Sequence, residues 1–166
     1  SLDAVLLTVP GSGILSANPA ACRMFGRTEE ELRRLRREDF VDPNDPNYPR
    51  LLAERREHGL AAGELTLRRG DGTTFAAEVS SVVFTDTQGN PRSSMIIRDI
   101  SARRQIEQAL QAERERLEFV IQAAEMGAWE WNVQTGQTVF NEYWATMLGY
   151  TLEELRPCNY AIWARL

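Results

Sequence analysis

GELTLRRGDGTTFAAEVSSVVFTDTQGNPRSSMIIRDIS, Gly63 to Ser101, is the stretch that decides the fold. It holds three strand candidates. Leu65 and Leu67 alternate with polar neighbours, and Asp71-Gly72 is a hairpin turn signal. Beyond the turn, Phe75, Ala77, Val79, Ser81 and Val83 fall on one face of a long strand, and Ala76, Glu78, Ser80, Val82 and Phe84 on the other. TQGNP, Thr87 to Pro91, turns again, and SMIIRDI, Ser94 to Ile100, closes a sheet.

Working outward towards the N-terminus, AVLLTV (Ala4 to Val9), the turn PGSG and ILSA (Ile14 to Ala17) read as a further hairpin. Asn18 is placed to cap a helix, with Pro19 at its first position, where a missing N–H costs nothing. Gly26 stops that helix, and Thr28 with Glu31 spells the capping box that opens the next. VDPNDPNYP, Val41 to Pro49, has three prolines and is not regular helix. LLAERREHG, Leu51 to Gly59, is a helix ended by glycine. The order β-β-α-α-α-β-β-β predicts an α+β domain, a five-stranded antiparallel sheet with helices on one face.

Towards the C-terminus, SARRQIEQALQAERERLEFVIQAAEMG carries no proline, and no glycine before Gly127. Ser101 is a candidate N-cap. Ile106, Leu110, Leu117, Val120 and Ala124 make a heptad seam that Glu113 interrupts. A charged rod with such a seam predicts a parallel coiled-coil linker between two copies of the chain; the competing reading lays the helix on its own sheet, over the outward Val82 and Phe84. Arg103 and Arg104 sit in the first turn, where positive charge is mildly unfavourable, and Asp99 or Glu107 are the expected partners.

The chain also repeats itself. Shifted by 123 residues, Pro10–Leu32 falls on Val133–Leu155 without a gap, with eight of 23 positions identical, among them Asn18/Asn141, Gly26/Gly149, Thr28/Thr151 and Glu31/Glu154. A period this long is a duplicated domain rather than a solenoid. Each copy reads as turn, strand, short helix, glycine stop and second helix. All four tryptophans lie in the second copy, where Trp129, Trp131 and Val133 alternate with Glu130 and Asn132 as in a half-buried strand.

ILSANPAACRMFGRTEEEL, the hairpin RRGDGTTFAAEVS and the exit MIIRDIS together resemble a PAS domain over residues 4–101, with Ser101 in the threonine place of the family's Asp-Ile-Thr exit. GAWEWNVQTGQTVFNEYWATMLGYTLEEL resembles the opening of a second. The expected organisation is a PAS domain at 1–101, a helical linker at 102–126 and the N-terminal part of another PAS domain at 127–166. The resemblance implies a cytoplasmic sensory and dimerisation module of a bacterial signalling protein, and not an enzyme in itself. The implied output is a histidine kinase, with a diguanylate cyclase (GGDEF) as the alternative; a ligand-free dimerisation scaffold is the other reading. It also implies a small-molecule pocket drawn from Cys22, Phe25, Phe40, Leu67, Phe75, Met95 and Ile97, and a signal relay at Asp99, Ser101 and Arg103. Haem is disfavoured, because His58 lies too near the first sheet strand for the family's haem ligand. Flavin is disfavoured too, because CRMF at Cys22 is not the Asn-Cys-Arg-Phe-Leu-Gln motif of the photosensor members.

Composition bounds the rest. Of 166 residues, 43% are apolar and 26% charged, enough for a soluble core. A net charge of −5 argues against non-specific nucleic-acid binding, and the run RRLRRED, Arg33 to Asp39, reads as a solvated helix face. No apolar run reaches the roughly 18 residues of a membrane span, and no signal peptide is visible. Two distant cysteines, Cys22 and Cys158, fit a reducing compartment. One histidine, His58, leaves no metal-ligand cluster and no catalytic triad to assemble.

Overall fold

The computed structural model describes residues 3–156. The chain divides between Gln105 and Ile106 into two compact units. The first holds β1 (Ala4–Thr8), β2 (Ile14–Ala17), α1 (Pro19–Phe25), α2 (Glu29–Arg33), α3 (Arg37–Phe40), α4 (Tyr48–His58), β3 (Leu60–Arg68), β4 (Thr74–Thr85) and β5 (Pro91–Asp99). All five strands pair antiparallel in the order β2-β1-β5-β4-β3, so the first and last strands lie side by side at the centre.

Alternation makes one face of this sheet the core. Phe75, Ala77, Val79 and Ser81 of β4 are buried, as are Leu65, Leu67, Met95 and Ile97 of its neighbours. Ala21 and Phe25 of α1, Leu32, Phe40 and Leu51 close over them. The opposite face stays open, with Leu60, Val82, Phe84 and Ile96 exposed.

Local chemistry sets the helix ends. The Asn18 side chain accepts the Ala21 N–H, and Gly26 ends α1 at a φ of 62°, where a side chain would be strained. The Thr28–Glu31 capping box forms in both directions. Four points differ from the sequence reading. Pro49 sits in the first turn of α4 rather than before the helix, which its fixed φ favours. β3 starts at Leu60, because Gly59 at φ 72° reverses the chain straight from α4 into the strand. A short helix, α3, appears ahead of the proline segment. RRLRRED is not one helix face: it crosses from the end of α2 through a break into α3, and the Arg33 Nε there donates to the Leu15 carbonyl at 2.5 Å.

α5 runs Ser101–Ala123 across the division of the chain and buries none of its residues. Ile106, Leu110, Leu117 and Val120 are 51–71% exposed, and Ala124 falls one position past the helix end. The expected N-cap is displaced: Ser101 is already helical, and its N–H donates at 2.9 Å to the carboxylate of Asp99.

The second unit continues with β6 (Trp129–Trp131), β7 (Thr138–Phe140) and α6 (Glu142–Met147). Its core is Phe140, Trp144, Ala145 and Leu155, with Phe140 stacked on Trp144 at 4.0 Å. Trp129 and Trp131 are 52% and 41% exposed, not half-buried on one side as the alternation predicts. By register they stand opposite Phe140 and Thr138. Thr151 and Glu154 make the capping-box bonds, but residues 152–155 form turns rather than the start of the expected second helix. The reading of Trp163 and Cys158 falls outside the described residues.

The 123-residue shift holds in the bonding as well as in the letters. Asn18 Oδ1 accepts from Val5 N and Ala21 N at 3.0 and 2.8 Å, and its Nδ2 donates to the Asp3 carbonyl. Asn141 Oδ1 accepts from Ala128 N and Trp144 N, both at 2.9 Å, and its Nδ2 donates to the Met126 carbonyl. Strand register follows the same shift, Leu6↔Ala17 answering Trp129↔Phe140.

Candidate functional site

Two features stand out in the first unit: a cavity under the helices, and a charged junction where β5 becomes α5. The cavity, about 40 Å³, is lined mainly by Phe40, Val41, Leu51, Leu65, Leu67 and Met95, with Arg55 and Ser81 as polar members. Of the seven pocket residues expected from the sequence, Phe40, Leu67 and Met95 line it. Phe25, Phe75 and Ile97 fill the adjoining core instead, 5% exposed or less, and Cys22 is a half-buried free thiol packed against it. Phe25 meets Phe40 and Phe75 edge-on, at 5.7 and 5.9 Å between ring centres. Such pairs gain quadrupole attraction beyond simple area burial.

The polar members escaped the sequence reading, although both carry a signal. Arg55 stands four residues after the buried Leu51, a helical position that faces the core, and is only 8% exposed. Its Nη1 donates to Ser81 Oγ at 3.5 Å. Ser81 continues the inward row of β4, and its hydroxyl lies 3.1 Å from that of Ser93, which is fully buried.

The junction is built on Arg69, just beyond β3. Its Nη2 meets Asp99 Oδ2 at 2.5 Å, its Nη1 donates to the Met24 carbonyl at the end of α1, and its guanidinium stands 4.0 Å over the Phe75 ring. Gly70 N donates to the Phe25 carbonyl, and a Cβ on Gly70 would stand 3.0 Å from the Arg27 side chain and 3.2 Å from the Gly26 carbonyl, so the hairpin approaches the end of α1 closely. Asp99 Oδ1 accepts the Ser101 N–H, holding the first turn of α5. Burial pushes the Asp99 carboxyl up, but the Ser101 bonds and the Arg69 guanidinium outweigh it and hold it below the ordinary 3.8. The expected relay residues Asp99, Ser101 and Arg103 therefore sit at one junction. Asp99 takes Arg69, while Arg103 and Arg104 reach Glu64 of β3, Arg103 at 3.7 Å. A continuous run of contacts leads from the cavity wall to the helix: Phe40, Phe25, Phe75, Arg69, Asp99, Ser101.

His58 ends α4 as an exposed residue. Among the described residues no group of three or more His, Cys, Asp or Glu side chains is placed to hold a metal ion, and no helix is long and apolar enough to cross a membrane.

These features belong to a sheet-and-helix sensor fold, and the family described as PAS domain matches residues 2–102. The chain belongs to the PAS family, whose domains are regulatory sensor modules. Among curated proteins it is similar to the probable diguanylate cyclase DgcE of Escherichia coli K12, 31% identical over 130 residues. That likeness covers 72% of this chain, so it runs past residue 102 into α5, but the chain spans only 11% of that relative's length. Among solved structures, the PAS domain of a Colwellia psychrerythraea protein has a TM-score of 0.55 at 19% identity, covering 61% of this chain and 89% of its own. A PAS domain from a two-component sensor histidine kinase has a TM-score of 0.51 at 21% identity, covering 60% and 86%. Both share the fold.

Proposed function

We propose that this chain is the sensing and relay segment of a larger bacterial signalling protein, working in the cytoplasm. The PAS unit takes a small molecule in its cavity. The contact run from Phe40 to Asp99 passes the resulting shift to the start of α5. Two copies of the chain pair through Ile106, Leu110, Leu117 and Val120. The rod then delivers the motion to residues 127–166, which we read as the opening of a second PAS domain from the shared asparagine bonding and strand register.

The observation that carries this reading is the Asp99 carboxylate, which joins the cavity's aromatic run, through Arg69, to the first N–H of α5. Spatial adjacency alone does not make a coupling; two states of the junction have to respond to both ends. In the full-length protein, Asp99→Ala should leave the output domain active but no longer responsive to the input. Unchanged response in that variant removes the relay.

For the output, a diguanylate cyclase is favoured by the relative whose 31% identity extends into the linker. A histidine kinase is the second reading, in keeping with a PAS domain of that class sharing the fold. Measuring cyclic dinucleotide synthesis and autophosphorylation by the full-length protein separates them.

A further inference from the structure

The turn between β1 and β2 and the break between α2 and α3 line one open cleft of the first unit. We propose that this cleft binds a small phosphate ester, its phosphate held by Arg33, Arg34 and Arg36. The site is separate from the apolar cavity and does not depend on what that cavity holds.

The cleft measures about 620 Å³ and is lined by residues 11–13, residues 33–36 and Glu38. That lies within the roughly 300–1,000 Å³ of small-molecule sites. The break between the helices is what gathers the arginines. On one unbroken helix, side chains at 33, 34 and 36 would point well apart around the axis. Here α2 stops at Arg33 and α3 starts at Arg37, and all three line the same cleft. Arg33 is tied in place: its Nε donates to the Leu15 carbonyl, which leaves both terminal nitrogens for a ligand. Glu29 stands 4.0 Å from it, but the same carboxylate oxygen accepts the Ala17 N–H. Arg34 and Arg36 are exposed and form no salt bridge with a described residue. Glu31, which feels the Arg34 charge, keeps its carboxylate on Thr28.

Three guanidiniums against the one carboxylate of Glu38 leave the lining at +2. A phosphate monoester carries about −1.5 to −2 near neutrality and three strong acceptor oxygens. It therefore answers both the charge and the three planar forks of donors, whereas a carboxylate brings one charge and two oxygens. The turn from β1 to β2 leaves room for it. Gly11 has a φ of 76°, and a Cβ there would meet nothing within 4 Å, so this side of the cleft offers backbone and the Ser12 hydroxyl rather than bulk. Beyond Leu35, a gap of about 10 Å³ reaches Phe40 and Met95 of the apolar cavity wall. It has room for one water at most, so the ester stays in the cleft.

The test titrates the 166-residue chain with glycerol 3-phosphate, against acetate at matched ionic strength. The amide resonances of Gly11 and Gly13 report on the cleft. Glycerol 3-phosphate should shift them saturably, with acetate at least about fivefold weaker. Arg34→Gln and Arg36→Gln should each weaken the phosphate ester about three- to fivefold, the range exposed charge pairs supply, and the double variant should abolish saturation. Arg114→Gln with Arg116→Gln removes the same charge from α5, outside the cleft, and should leave binding unchanged. A lipid headgroup offers the same phosphate chemistry, so vesicles of phosphatidylcholine with phosphatidic acid form the other arm; the chain should not sediment with them. Acetate binding as tightly as the ester, equal losses in the two double variants, or undiminished binding in Arg34→Gln with Arg36→Gln overturns the assignment. So does sedimentation with the vesicles when glycerol 3-phosphate gives no saturable shift.

Discussion

At the scale of single residues, the junction rests on Asp99 and Arg69, and both are about 30% exposed or less as side chains. Water therefore screens part of their attraction, and a double-mutant cycle with Arg69→Met and Asp99→Ala should give a coupling of about 0.5–1 kcal/mol, read from urea unfolding followed by circular dichroism. The acid dependence has a definite sign. Asp99 and Asp45 both ionise below their ordinary 3.8, Asp45 because the Thr66 and Asn47 N–H bonds outweigh the cost of its burial. A carboxyl with a depressed folded value stabilises the fold above its unfolded value, and that contribution disappears as pH falls through the folded one. The first unit should thus hold constant stability down to about pH 5 and lose it steadily below about pH 4. Asp99→Asn should be less stable at neutral pH and show a shallower acid slope. An unchanged slope would mean the carboxylate contributes nothing to the fold. A smaller orphan lies in the second unit, where the buried Thr138 hydroxyl has no hydrogen-bond partner among the described residues. Thr138→Val keeps the shape and removes the stranded group, so it should stabilise that unit by about 1 kcal/mol, tracked by tryptophan emission.

Among the elements, α5 makes the strongest demand on a partner. Twenty-three helical residues at about 1.5 Å each give a rod of roughly 35 Å. It buries nothing, yet it carries an apolar row at heptad spacing. Leu117→Lys places a charge in that row, and two copies would bring the charges together. Sedimentation should show the unaltered chain as a dimer and the Leu117→Lys chain as a monomer at the same concentration; two dimers of equal affinity would take the seam out of the account. The elements also show what a sequence can and cannot disclose. Strand alternation from Phe75 to Phe84, the Asn18 and Gly26 caps and the Thr28 box were all legible, because each is a local preference that no distant contact opposes. The start of α4 was missed because a proline in the first turn opens a helix as readily as proline elsewhere breaks one. The cavity was half legible. Apolar letters mark the core without telling a wall from a filler, which depends on how Phe25 meets its neighbours edge-on. Arg55 and Ser81 were readable as polar letters in apolar positions. The partner of Asp99 was not readable, because Arg69 is thirty residues away and reaches it only once β3, β4 and β5 are in register.

For the whole molecule, the question is whether two units on one chain stand or fall separately. Both are tied by the same device: an asparagine whose carbonyl oxygen holds the preceding strand and the coming helix while its amide holds the chain's entry, at Asn18 and at Asn141. Removing either loses a cap and strands a backbone N–H, at a cost of about 2–3 kcal/mol. The cores differ in what they can absorb. The first unit has a continuous interior from Ala4 to Ile97, whereas among the described residues the second gathers Phe140, Trp144, Ala145 and Leu155. A loss of that size is therefore a modest fraction of the first unit's stability and a large fraction of the second's. Every tryptophan lies at or beyond residue 129, so emission reports the second unit and circular dichroism, dominated by the first unit's sheet and helices, reports the other. Asn141→Ala should move tryptophan emission towards that of water without shifting the main dichroism transition, and Asn18→Ala should lower the dichroism midpoint while leaving emission in place. Should Asn18→Ala shift the emission transition as far as the dichroism, the two units unfold as one body, and α5 couples their stabilities.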